Sequence, residues 1–533
     1  MRNALVLGTA LAALLLSGCK GDPATPEYWE KAFNGAKNKK ARIGLVEDMR
    51  TRKLGAAFLP VLHKRLAEDK APEVKEAIAR LLGEMKDASS VDPLINAFDP
   101  AASESNEKAM NKEIAIALGG IGDKRAAGAL MKCLTMKDDY TRIAAIEALG
   151  ALRASEAAAK LTELAAADDA PPFVSKKAII ALGEIGDPKS IPVLVKMMFK
   201  ERNRVSFYVE SSFALYQYGQ PAADALVPII TGQDKEIVKW AQESQILEPA
   251  LHAKAAQVLG DLHEMRAEKA MLDKLGYNNE MLDIKLFVRM RMADALGRLR
   301  SQAGAKALAG MLEEEEATAR NEYIRALVRI GGREGVPALV KSASKGSWDA
   351  RESAIMGLAM LGDDRELPVF EKLTKDEEGL FTAECKEDPE QRACKDLPGS
   401  VKKHLEVIAG AQKRISAAKD CKADAACWAK KLDDADAGVR ERAAFEVGRS
   451  KNGALAGELT KRLTEKNLDT RLAIIQGTDW LVSDSKDAAK AAGEALPALE
   501  KQIAEEKGKT EFVKVNEDLR RLAVKLKRAS TSA

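Results

Sequence analysis

The chain has 533 residues, more than one hydrophobic core can organise, so it must be several domains or one extended array. Hydrophobic residues make up 46 % and aromatics only 5 %, which favours packed helices over sheet. With 84 Lys and Arg against 81 Asp and Glu the net charge is +3, too balanced for a chain that binds nucleic acid along its length.

In chain order, Arg2 precedes an uncharged run from Ala4 to Leu16, thirteen residues and too short for a spanning helix. It ends in Leu16-Ser17-Gly18-Cys19, which resembles the lipobox of bacterial lipoprotein signal peptides. The resemblance implies that residues 1–18 are removed and that Cys19 is lipidated and becomes the new N-terminus. Lys20 after the Cys, where an Asp favours inner-membrane retention in some bacteria, implies the outer membrane, facing the periplasm. Residues 19–26 form a short polar tether. Thr25-Pro26-Glu27 then reads as a helix start, with Thr as N-cap and Pro at the first position.

From residue 27 a helical step repeats. Its clearest copy is Ala178–Met198, AIIALGEIGDPKSIPVLVKMM: an apolar helical run, a Gly-Asp-Pro turn, and a second apolar run. Leu82, Leu118, Leu149, Leu182, Leu215, Leu259, Leu296, Leu327 and Leu358 mark the ends of successive first helices, at intervals of 31 to 44 residues. The glycine that follows six of these markers is expected at the helix C-terminus, where a left-handed residue fits. Asp123, Asp187 and Asp363 are expected to cap or precede the next helix, with Pro188 at a first helical position. No unit can bury its apolar face alone, so neighbours must stack.

The stretch Arg142–Gly150, RIAAIEALG, one residue short of the signature R-x-x-A-A-x-x-A-L-G, and the similar Arg440–Gly448 resemble the short HEAT-like repeats first noted in phycobilin lyases. That resemblance implies an all-α, right-handed α-solenoid of antiparallel helix pairs with an extended concave face. The array is expected over 27–375 and 431–505, with a Cys-bearing interruption, loop plus helix, at 376–430. A basic capping helix and tail come last, at 506–533, where Leu519, Leu522 and Leu526 give one apolar side. A cap is favoured there over a helix lying on lipid.

Two departures from the pattern carry site candidates. Residues 199–218 hold six of the chain's 24 aromatics, and Phe207, Tyr208, Phe213 and Tyr216 with Arg202 and Arg204 are candidate partner contacts. Packing across a wider helix gap is the competing and favoured reading. In the interruption, Cys385, Cys394, Cys421 and Cys427 are disulfide candidates, paired most simply as neighbours, in an exported and oxidising compartment. A zinc site is disfavoured by the spacing. Cys133, on an apolar helical face, is expected to be a buried thiol. The run Glu313–Glu316 reads as solvated surface.

No catalytic motif is present, and the four His include a single His-Glu pair, His263-Glu264. Deoxyhypusine hydroxylase, a HEAT-like enzyme, holds iron with several such pairs, so that ligand set is missing. No catalytic residue, metal, cofactor, nucleic acid or small-molecule substrate is expected. The sequence reads as a non-enzymatic, membrane-anchored periplasmic lipoprotein acting as an interaction scaffold for protein partners in the cell envelope. The alternative is a module binding envelope polymer or peptide through the aromatic patch. A HEAT-like lyase or metal-dependent enzyme ranks below both.

Overall fold

A computed structural model describes residues 21–312, 317–387 and 392–531. Among the described residues there are thirty α-helices and one two-stranded hairpin. The chain divides into two compact units, residues 1–222 and 223–533. Each is an α-solenoid.

In the first unit the repeat is a long first helix, a 3-10 turn and a shorter second helix. The first helices are Pro72–Met85, Ser105–Ile121, Asp139–Ala151, Pro172–Ile185 and Tyr208–Tyr218. They pack side by side in that order, while the second helices meet one another far less. Asp123 and Asp187 cap the 3-10 turns rather than the second helices themselves, accepting from the backbone N–H of Arg125 and Lys189. Pro188 is the first residue of its turn.

The marker glycine has a different role from the one expected. Gly183 lies inside its helix, and the left-handed residue is Gly186, at φ 78°, three positions later. What Gly183 provides is closeness. A Cβ there would stand 2.9 Å from Ala214 Cα on the next first helix. Gly83 against Ala117, Gly119 against Ala148 and Gly150 against Ala181 repeat the contact at 2.9 to 3.0 Å. No side chain fits in that space, so the glycine–alanine pair sets the distance between neighbouring first helices. The alanine always precedes the next glycine by two residues. By that register Tyr216 stands where the fifth glycine would be, and the row ends with it.

The second unit continues the scheme. Gly260 meets Ala295 and Gly297 meets Ala326 in the same way, and Gly448 meets Gly477 more closely still. The expected interruption is different in kind. Leu367–Glu387 and Arg392–Cys421 are both long helices, so the segment predicted as a loop is helical on either side of residues 388–391, which lie outside the described residues. Lys, Glu, Arg, Ala and Leu, all good helix formers, outnumber the Pro and Gly on which the loop expectation rested. Arg392–Cys421 packs against Trp348–Leu361 on one side and Ala437–Arg449 on the other, as a first helix would. The last helix, Val513–Thr531, buries Leu519, Leu522 and Leu526 in the core, so its apolar side faces protein. Among the described residues no helix is long and apolar enough to cross a membrane.

The glycine contact yields a paired test. Gly183→Val should destabilise the first unit by about 1–3 kcal/mol in urea unfolding, because the backbone opposite cannot yield cheaply. Gly128→Ala, on a second helix with open space around it, should be neutral or stabilising by ~0.5–1 kcal/mol.

Candidate functional site: the open face of the first helices

A first helix in the first unit buries one stripe against its second helix and turns the opposite stripe outward. On Pro172–Ile185 the buried stripe is Val174, Ser175, Ala178, Ile179, Ala181 and Leu182. The outward stripe falls three, seven and ten residues before the glycine, one helical face by 3.6-residue periodicity. Such positions are ordinarily polar on a solvated helix. Here they are largely apolar. Ile116, Ile180 and Phe213 occupy the first row, Ile143 and Val209 the second, Tyr140 and Phe173 the third. Ile116 is 47 % exposed, Tyr140 74 %, Phe173 49 % and Val209 54 %, and the other three are half-buried. The charges among them are paired across helices: Arg80 with Glu113 at 3.3 Å, Lys176 with Glu210 at 2.8 Å, and Lys177 with Glu147. The result is an apolar strip whose ions largely satisfy one another, with Lys112 of the second row outside these pairs.

The second unit closes the corresponding face with its own helices. Its C-terminal helices return to the start of the unit through a seam of ion pairs. Arg298 bridges Asp261 at 2.7 Å and Asp294 at 3.0 Å, Arg329 joins Asp294, and Arg521 reaches Asp261 at 3.1 Å. His263 Nε2 bonds Asp479 at 2.7 Å, Lys525 donates to the same carboxylate, and Arg300 meets Asp484 at 2.6 Å. Arg449 donates to Val328 O at 2.7 Å. What remains of the face is a cavity of about 380 Å³, floored by Ile324, Met356, Met360, Phe445 and Leu472.

Electrostatics track burial. For Asp294 and Asp479 burial alone would raise the carboxyl, but Arg298 and Arg329 in one case, Lys525 and His263 in the other, outweigh it and hold both well below the usual range. Burial, then Lys525, pushes His263 down against the pull of Asp479. In the cavity wall burial pushes Glu441 up, Asp469 adds to the rise, and Arg414 at 3.6 Å opposes it. Among the described residues no three His, Cys, Asp or Glu converge on a metal position. The His263-Glu264 pair diverges, since Glu264 accepts from Arg266 N–H at 3.0 Å while His263 faces Asp479. These surfaces can hold a partner through apolar burial and ion pairs.

The residues singled out in the sequence scatter. Phe207 and Tyr216 are buried in the core, at 0 % and 1 % exposure, so neither is a partner contact. Tyr216 fills the gap that a glycine closes elsewhere. Arg202 is also engaged internally. It donates to Ala170 O at 3.0 Å and Ser175 Oγ at 2.7 Å, and lies over the Phe207 ring. Arg204 sits at the tip of a hairpin, Glu201–Arg202 paired with Val205–Ser206, whose turn needs positive φ at Asn203 and Arg204. Phe213 stays half-exposed on the strip and Tyr208 half-exposed beside it.

Cys421 and Cys427 form a disulfide with Cα atoms 5.2 Å apart. Cys133 is a buried free thiol, pushed up to about 12 by burial. Cys19, the side chains of Cys385 and Cys394, and Glu313–Glu316 lie outside the described residues. Sequence reasoning missed Tyr140, Phe173 and Ile116, although an apolar residue at the outward phase of an amphipathic helix was the available signal.

Comparison with known proteins agrees with the fold. The family of HEAT repeats matches residues 100–174 and 311–384, and PBS lyase HEAT-like repeats match residues 74–100 and 176–199. No curated protein matches the chain. Similar solved structures include human deoxyhypusine hydroxylase in complex with glycerol, 19 % identical over 54 % of this chain and 98 % of that one, TM-score 0.23. Another is the complex of CpcE and CpcF of phycocyanin lyase from Nostoc, 19 % identical over 51 % and 94 %, TM-score 0.26. Yeast importin-β is 12 % identical over 98 % and 80 %, TM-score 0.45. Likeness at this level says nothing about chemistry.

The seam predicts acid sensitivity. His263 titrates below its ordinary 6.5 when folded, as does His252, which burial pushes to about 4. The unfolded chain therefore takes up protons that the fold refuses, and stability falls as pH drops below about 6.5. The depressed Asp294 and Asp479 carboxyls act in the same sense at lower pH, where their ion pairs are lost. The urea midpoint of the second unit should fall steadily from pH 7 to pH 4. Asp479→Asn should cost on the order of 3 kcal/mol at pH 7, since it strands Lys525 in the seam.

Proposed function

We propose that the protein is a membrane-anchored lipoprotein of the bacterial cell envelope whose solenoid serves as a scaffold for protein partners. The observation that carries the scaffold half is the apolar strip of the first unit, a built surface that its own repeats leave open. Stacked helix pairs offer such a surface over many helices at once, which suits recognition of polypeptide more than of a small substrate. HEAT repeats in two parts of the chain support this reading.

The anchoring half rests on Leu16-Ser17-Gly18-Cys19 behind an uncharged run of thirteen residues. The Cys421–Cys427 disulfide supports export to an oxidising compartment. Lys20 supports an outer-membrane address facing the periplasm. A non-enzymatic role accords with the face that the first helices present, which offers apolar burial and satisfied ion pairs. The polymer-binding alternative lost its two central aromatics, Phe207 and Tyr216, to the core.

Cys19→Ala should move the protein from the membrane to the aqueous fraction and remove the mass of the attached lipid. Unchanged membrane association and mass would overturn the anchoring. Cross-linking of the wild-type protein in native membranes should trap a protein partner, and failure to trap any would overturn the scaffold.

A further inference from the structure

We infer that the strip on the first unit is a docking groove for a single amphipathic α-helix of a partner protein. This rests on the scaffold reading and names the kind of segment recognised. The strip runs across four first helices, Ser105–Ile121 to Tyr208–Tyr218, each roughly 10 Å from the next, and occupies two to three helical turns of each. That makes it about 30 Å long and about 10 Å wide, the dimensions of an α-helix of some ~20 residues. An extended strand would use a narrower track and leave Tyr140 or Ile180 uncovered.

Charge decides between occupants of that shape. Arg80, Lys176 and Lys177 are each engaged by a carboxylate of a neighbouring helix, which leaves Lys112 as a single cation outside these pairs, so the strip offers no array of open cations to an anionic lipid surface or to nucleic acid. A neutral apolar strip edged by satisfied ion pairs fits the apolar face of a helix whose polar face remains in water. The chain itself supplies the contrast. In the second unit the first row carries the buried ion Asp294, and the unit's own C-terminal helices close over it. In the first unit the rows are both apolar and exposed on several helices, with Tyr140, Phe173, Val209 and Ile116 about half or more in solvent, against Phe287 at 39 % in the second unit.

The test uses the full chain and two synthetic 20-residue peptides of one composition, Leu, Ala, Glu and Lys with zero net charge. One places Leu at helical spacing and the other alternates it. Fluorescence anisotropy of labelled peptide should show the helical-period peptide binding, with a gain of helix in circular dichroism. The alternating peptide should bind at least roughly tenfold more weakly. Phe173→Glu with Ile116→Glu should weaken the first peptide by a similar factor, and Tyr140→Glu alone by less. All three side chains are exposed, so unchanged thermal unfolding should accompany the loss. Equal binding of both peptides, or undiminished binding to the double variant, would overturn the groove. So would capture of the chain by phosphatidylglycerol vesicles, or self-association, if the double variant abolished it while the peptide went unbound. Protein partners trapped at other surfaces of the double variant would leave the scaffold standing and sink only the groove.

Discussion

The stack depends on the meeting of a glycine on one first helix with the backbone of an alanine on the next. At 2.9 to 3.0 Å from a notional Cβ to the facing Cα, the contact excludes every side chain at the glycine position. Six such contacts, from Gly83 to Gly297, hold the first helices close enough to share one continuous core within each unit. Helix propensity disfavours glycine mid-helix by about 1 kcal/mol, so the residue persists there for packing and not for helix formation. Where the glycine is lost the consequence is local and definite. Tyr216 takes its position, is buried, and the sequence of close steps stops.

That spacing gives one face two uses. Closely set first helices present parallel rows of side chains on the side away from the second helices. When the first row carries Asp294, with Arg298 and Arg329 beside it, the surface is completed by ions from the C-terminal helices, and the second unit shuts around a residual cavity. Removal of two charges from water is offset there only because each carboxylate has two cationic or imidazole partners. When the rows carry Ile116, Tyr140, Phe173 and Val209, no such closure occurs within the first unit. An exposed apolar strip is unfavourable in water, which is the physical ground for assigning it to a partner.

The aromatic segment shows how a correct signal can point to the wrong surface. The concentration of aromatics at 199–218 is real, and it marks a real irregularity, yet Phe207 and Tyr216 went inward. Composition counts side chains without their phase. Phe207 precedes its helix and drops into the core, while Phe213 falls on the outward row. In the Cys-bearing segment, Pro398-Gly399 pointed to a loop, but the chain is helical from Arg392 to Cys421. Local breakers there are overruled by helices packed on both sides.

The sequence by itself determined the class of fold, because a 31- to 44-residue period of apolar helix pairs has no stable form except a stack. It also determined the caps at Asp123 and Asp187, which depend only on neighbours in the chain. Only the tertiary structure decided what the repeat glycine does, which rows of side chains stay open, and that Asp261, Asp479 and Arg521 meet. Those outcomes depend on contacts between residues up to 260 positions apart, whose partners are fixed by the angle at which successive helix pairs stack. That angle comes from the summed packing of every step, and no single step in the sequence carries it.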